Sequence, residues 1–303
     1  MQHLTIMTIA IVYPSGKISD TKFISAKRLF KNKEIKVFQP PLSDVAYLAS
    51  NDQNRLNSIV NALKDRETTL LLAARGGYGA LRLDFKQIKN TLEKFPKPIF
   101  GFSDITVLHA LWSKTGFKSV HGAVFSQLPY LEPKDLNLNL NLLRKLEIII
   151  EEKIQPTSNF NHQVLSGKLF GGNLATLETL VGTEIEPNFK NKIVFFEEIG
   201  EPAYKIDRMI NHLFLSTNLK QAKALILGDF INCIDFNLKI FTDLINKYNP
   251  EIPLFYGFPS GHKNRNVPLL FGETATISSE IGVLRFNQKI NLTEKTKLKI
   301  SHQ

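Results

Sequence analysis

The sequence predicts an α/β protein: an open, mostly parallel N-terminal sheet flanked by helices, followed by a β-rich α/β domain. Three observations carry this expectation. Through the first 125 residues, apolar runs of strand length alternate with amphipathic helical stretches, the pattern that builds parallel sheets. Residues 68–74 are almost continuously apolar, as strands buried on both faces of such a sheet are. Residues 274–290 instead alternate with the period of two that marks a half-buried strand.

Taken in order, residues 5–12 read as the first buried strand. They lack the basic flank and small-residue cleavage site of a signal peptide, and run into Pro14-Ser15-Gly16. Residues 20–30 read as a helix opened by Ser19 or Asp20. A short strand at 34–38 stops at Pro40-Pro41, and Leu56, Ile59, Val60 and Leu63 mark the buried stripe of a helix over 52–63. After the strand at 68–74 come Arg75-Gly76-Gly77-Tyr78-Gly79, a helical segment from Ala80, and a short strand ending at Gly101. Ser103 follows, then a helix carrying Val107, Leu108, Leu111 and Trp112 at helical spacing. Ligands of an open α/β sheet bind beyond the carboxyl ends of its strands, and both the glycine loop and Ser103 fall on that edge.

Residues 131–162 read as a helical, charged connection. Beyond it, strands are expected at 193–196 and 224–227 and a helix over 206–214. The expected organisation is an N-terminal domain over 1–130, a connecting segment over 131–165 and a C-terminal domain over 166–303.

Composition narrows the function classes. The single cysteine, Cys233, excludes an internal disulfide and any multi-cysteine metal site, and fits a reducing cytoplasm. No apolar run approaches the length of a membrane span. The net charge is +10, of which residues 1–125 hold +9, but the lysines are interleaved with acids and form no basic-aromatic array. A solvated surface is expected, with neither a nucleic-acid nor a membrane partner.

The chemistry-bearing residues concentrate at strand ends. A strand, tight turn, serine and helix in succession make a nucleophile elbow: the turn lifts the Ser103 hydroxyl clear, and the helix N-terminus offers N–H groups to negative charge. Helix capping by Ser103 or Asp104 would explain the same residues. Glu197 and Glu198 follow the strand at 193–196, and neighbours on a strand face opposite ways, so one of the two faces a given site. Of seven histidines, His262 sits on the turn-like Pro259-Ser260-Gly261-His262 after an apolar strand, and is the best-placed general base. His109 and His212 fall in helices, and His3, His121, His162 and His302 carry no spacing that suggests chemistry. No His/Asp/Glu spacing of a metal site is present, and no cofactor is expected. Serine needs a base to take its proton, and that base needs a carboxylate to fix its tautomer. Ser103, one of Glu197 or Glu198, and His262 satisfy that logic in chain order.

These residues also lie in blocks that resemble a known family. Residues 74–83 (Ala-Arg-Gly-Gly-Tyr-Gly-Ala-Leu-Arg-Leu), Gly101-Phe102-Ser103-Asp104 and Leu169-Phe170-Gly171-Gly172-Asn173 resemble motifs of the L,D-carboxypeptidases. That serine peptidase group includes the microcin-immunity hydrolases. The blocks at 196–202, Arg208-Met209, Gly261-His262, Pro14-Ser15-Gly16 and Leu48-Ala49-Ser50…Asp52…Arg55 match in the same order, so the resemblance spans nearly the whole chain. It implies a Ser103-Glu197-His262 triad, with oxyanion donors from the Gly77 and Asp104 N–H groups. It implies removal of the terminal D-alanine from murein tetrapeptides in peptidoglycan recycling, by a cytoplasmic homodimer without a cofactor. Phe170 stands where tryptophan is common in the family, Phe102 where other residues occur and Ser50 where glycine does; these touch pocket shape. A microcin-type peptide or acyl-amide hydrolase and a non-catalytic binding module on the same fold are the alternatives.

Overall fold

The computed structural model describes residues 8–31, 34–41, 45–157, 164–280 and 283–292. His3, His162 and His302 lie outside them. The first sheet contains β1 (Thr8–Val12), β2 (Ile35–Val37), β3 (Thr68–Ala73), β4 (Ile99–Gly101) and β5 (Ser119–His121), all parallel, in the order β5-β4-β3-β1-β2. Its helices are α1 (Asp20–Lys27), α2 (Asp52–Lys64), α3 (Phe85–Lys94) and α4 (Thr106–Lys114). Their starts follow from local chemistry: Asn51 Oδ1 accepts the Asn54 N–H at 2.8 Å to open α2, and Asp84 Oδ1 accepts the Gln87 N–H at 2.9 Å to open α3. Leu56, Ile59, Val60 and Leu63 form the buried stripe of α2.

The second half is a closed barrel, in the order β10-β6-β13-β12-β7-β8-β9. Its strands are β6 (Glu147–Pro156), β7 (Val164–Asn173), β8 (Lys192–Ile199), β9 (Ala224–Ile231), β10 (Leu254–Tyr256), β12 (Thr274–Glu280) and β13 (Val283–Asn291). The helices of this half are α5 (Pro133–Lys145), α6 (Leu174–Glu178), α7 (Ala203–Ser216) and α8 (Lys239–Tyr248). β11 (Leu269–Phe271) leaves the barrel and pairs antiparallel with β5 on the edge of the first sheet. Phe271 then packs against His109, His121 and Phe170, so one apolar core runs through both halves.

One expectation about the elements fails. The stretch read as a helical connection is helical only as far as α5, which ends at Leu146 in a left-handed turn (φ 56°). From Glu147 it is β6, paired along its length with β13. Three consecutive isoleucines suit a strand, with Ile150 and Ile154 turned into the barrel and Glu147, Glu151 and Lys153 outward. The partner strand lies more than a hundred residues downstream, which local periodicity cannot see.

Two glycines permit the close approaches around Ser103, one within the first sheet and one between the halves. A Cβ on Gly76 would stand 2.9 Å from the Ser103 Cβ, so only glycine lets the loop after β3 lie against the serine. Gly172 (φ +141°) does the same from the barrel, where a Cβ would meet Thr106 Oγ1 at 2.5 Å. That approach lets the Thr106 hydroxyl accept the Asn173 N–H at 3.0 Å and ties β7 to the start of α4.

Candidate active site

Ser103 follows β4 with φ +64°, a left-handed conformation that costs a non-glycine residue free energy and clusters at functional positions. Residues 103–105 form a single 3₁₀ turn before α4 opens at Thr106, with no side-chain cap on either. The capping explanation of Ser103 and Asp104 therefore does not hold. The Asp104 carboxylate instead accepts the Ala80 N–H at 2.9 Å, from the far end of the glycine loop. Burial pushes the Asp104 carboxyl above its ordinary pKa, against the pull of the Ala80 amide and the Arg55 guanidinium.

Ser103 and His262 line one cleft of about 580 Å³, together with Gly76, Gly77, Phe102 and three cations, Lys22, Arg75 and Lys263. No hydrogen bond joins the Ser103 hydroxyl to His262. The imidazole is oriented from behind, where its Nδ1 lies 2.8 Å from Glu197 Oε2 and the Glu197 side chain is fully buried. Carboxylates only accept, so Nδ1 carries the proton and Nε2 is left with its lone pair. Burial opposes protonation of His262. The Glu197 charge and hydrogen bond, helped by Glu198 and Asp229, outweigh that and hold its pKa above the ordinary histidine value.

The two adjacent glutamates do different things. Glu198 turns to the start of α6, accepting from Asn173 Nδ2 (2.9 Å), Ala175 N (2.7 Å) and Ile199 N (2.8 Å). Burial raises its pKa despite those donors. The ladder between β8 and β9 slips at this point: Phe196 pairs with Leu227 but Glu198 with Phe230, so two residues of β9 face Glu197. Such a bulge re-aims side chains, here bringing Asp229 beside Glu197. Neither the Gly77 nor the Asp104 N–H donates to an acceptor among the described residues; Asp104 follows Ser103 in the chain, and Gly77 lines the same cleft, next in the chain to Gly76, which lies against Ser103.

Residues 9–122 match the LD-carboxypeptidase N-terminal domain and residues 166–277 the LD-carboxypeptidase C-terminal domain. A murein tetrapeptide carboxypeptidase of Pseudomonas aeruginosa is 30% identical over 249 residues, covering 76% of this chain and 79% of that protein. The chain belongs to the LD-carboxypeptidase family. It is thereby a serine-type carboxypeptidase, a hydrolase of peptide bonds. A probable murein peptide carboxypeptidase of Bacillus subtilis is 28% identical over 284 residues, 90% of this chain and 89% of that one. Among solved structures, a muramoyltetrapeptide carboxypeptidase of Oxalobacter formigenes superposes with a TM-score of 0.80 at 26% identity, covering 94% of this chain and 99% of that one. A mutant of a microcin C7 self-immunity protein shares the fold with a TM-score of 0.76 at 19% identity, covering 95% of this chain and 97% of that one.

This LD-carboxypeptidase cleft is shaped by Phe102, already tied to pocket shape by the resemblance, and by residues that carry no signal in the sequence. The Phe102 ring packs on the His262 imidazole with centroids 4.7 Å apart. The loop bearing His262 is held by Asn266, whose four polar groups are all bonded: to Ser260 Oγ (2.8 Å), Gln127 Oε1 (2.9 Å), Asp135 Oδ2 (2.9 Å) and Asn139 Nδ2 (2.9 Å). Two of those partners, Asp135 and Asn139, come from the stretch read as a connection, which thus helps to anchor the site. His109 and His121 are fully buried. His109 Nε2 bonds the Gly101 carbonyl at 2.9 Å, and burial lowers its pKa to about 4. His212 pairs with Glu178 at 2.7 Å, away from the cleft. No helix among the described residues is long and apolar enough to cross a membrane.

Proposed function

We propose that this enzyme removes the terminal D-alanine from murein tetrapeptides, using Ser103 as nucleophile, His262 as general base and Glu197 as its orienting carboxylate. The observation that carries the reading is the 2.8 Å contact of a fully buried Glu197 with His262, across a cleft shared with a serine at φ +64°. His262 Nε2 takes the Ser103 proton as the hydroxyl oxygen attacks the last peptide carbonyl. The oxyanion is met by the Gly77 and Asp104 N–H groups. Collapse of that intermediate, with the Nε2 proton passing to the leaving amine, releases D-alanine and leaves the shortened peptide on Ser103. Water, deprotonated by the same nitrogen, frees it. Lys22, Arg75 and Lys263 give the cleft a positive lining that suits a peptide bearing several carboxylates.

The names of the relatives support the murein substrate, and the lone Cys233 fits a reducing compartment. The reading places the enzyme in cytoplasmic recycling of cell-wall peptides, as a homodimer. The test is incubation of purified protein with murein tetrapeptide and mass analysis of the product. Loss of one alanine is expected, and Ser103→Ala should remain folded while turnover falls by about 10⁴-fold or more. A folded Ser103→Ala variant with near-normal turnover would sink the reading. Dialysis against a strong chelator is expected to leave the rate unchanged; activity lost and then restored by zinc would count against a metal-free triad.

A further inference from the structure

The peptide group joining Gly79 to Ala80 is gripped at both edges by buried side chains of opposite charge. Its N–H donates to Asp104 Oδ2 at 2.9 Å, and its C=O accepts from Arg55 Nη1 at 2.8 Å. Arg55 is fully buried and Asp104 only 6% exposed. Arg55 is itself fixed by the carbonyls of Pro14 and Ser50 and by Asp52 at 2.5 Å, so it cannot follow the loop if the loop moves. The gripped peptide closes the Gly76-Gly77-Tyr78-Gly79 loop, and Asp104 is the residue bonded to Ser103.

We propose that Asp104 is a positioning residue whose carboxylate, working against Arg55, locks the glycine loop to the nucleophile so that the Gly77 N–H stays aimed at the oxyanion. The proposal rests on the serine-peptidase reading above and extends it. An oxyanion donor contributes to rate only when its place is fixed before charge develops, because loop movement during the reaction would consume the gain. A loop rich in glycine has little stiffness of its own. Charged hydrogen bonds in a dry setting supply it, being roughly twice as strong as neutral ones. The backbone of Asp104 and its side chain thus serve one end: the N–H faces the oxyanion while the carboxylate holds the other donor in place.

The test compares Asp104→Asn and Asp104→Ala with the natural enzyme on murein tetrapeptide, with folding checked by thermal melting. Active sites are counted by a fluorophosphonate. Per active site, kcat is expected to fall about tenfold for Asp104→Asn and about 10²-fold for Asp104→Ala, the latter in the range of a lost oxyanion donor. KM should stay within about threefold in both. Affinity for a peptidyl boronate, whose tetrahedral adduct mimics the intermediate, should fall in step with kcat. A purely structural role would lower the melting temperature and the count of active sites while leaving kcat per site alone. Either variant folded with kcat per site within about twofold of natural, or a loss confined to KM, overturns the proposal. If Asp104→Ala does not fold, the isosteric Asp104→Asn decides by the same criteria. Natural enzyme left unlabelled by the fluorophosphonate would instead count against the serine reading itself.

Discussion

At the scale of single residues, the site depends on which of two adjacent carboxylates faces the imidazole. Glu197 meets His262, while Glu198 is spent on two donors at the start of α6 and on the Ile199 N–H at the end of β8. Glu197→Gln should therefore lower kcat/KM by about 10⁴-fold, as loss of the orienting carboxylate does in the comparable serine protease triad. Glu198→Gln replaces an acceptor by a donor and leaves a buried amide unpaired, so its cost of about 1–3 kcal/mol should appear in melting temperature instead. A folded Glu198→Gln variant with the larger kinetic loss would reverse the assignment. The same pair sets the pH dependence. As the proposed base His262 would act only when neutral, and its pKa lies above the ordinary value of about 6.5. The acid limb of kcat/KM should accordingly have its midpoint above that value, with activity rising as pH rises through it. In Glu197→Gln the residual activity should show that limb displaced to lower pH. The elbow, the glycine loop and His262 were all legible from residue type and position. The side chain of Asp104 was not, because its partner Ala80 lies 24 residues away and offers only a backbone N–H.

At the scale of elements, the contact between β7 and α4 carries the registration of the two halves. Gly172→Ala forces a side chain into a left-handed backbone and against Thr106 Oγ1. Strain of about 1–3 kcal/mol and overpacking of a similar size should together lower the melting temperature sharply. An unchanged melting temperature would show that the joint is compliant. The α/β alternation of the first sheet could be read from periodicity because each strand and helix declares its own face. β6 could not, since three isoleucines among charged residues fit a helix as well as a strand until β13 is in place beside them. Short β11 carried no indication that it would leave the barrel for the edge of β5.

At the scale of the whole molecule, the site lies where the halves meet: Ser103 and the glycine loop come from the first sheet, Glu197 and the His262 loop from the barrel half. Neither half holds a complete set, which explains why the chemistry was legible only when motifs nearly a hundred residues apart were read together. Closure of the barrel and the Asn266 anchorage of the His262 loop depend on long-range pairings that no single stretch announces. In the proposed mechanism Ser103 is the covalent nucleophile, activated across this joint by His262 and Glu197. The most direct measurement is peptide mapping by tandem mass spectrometry after fluorophosphonate treatment, with labelling rates compared among the natural enzyme, His262→Ala and Glu197→Gln. A single adduct on Ser103, formed at least about 10²-fold more slowly in both variants, is the expected result. An adduct on another residue, or Ser103 labelled at the natural rate without His262, would contradict it.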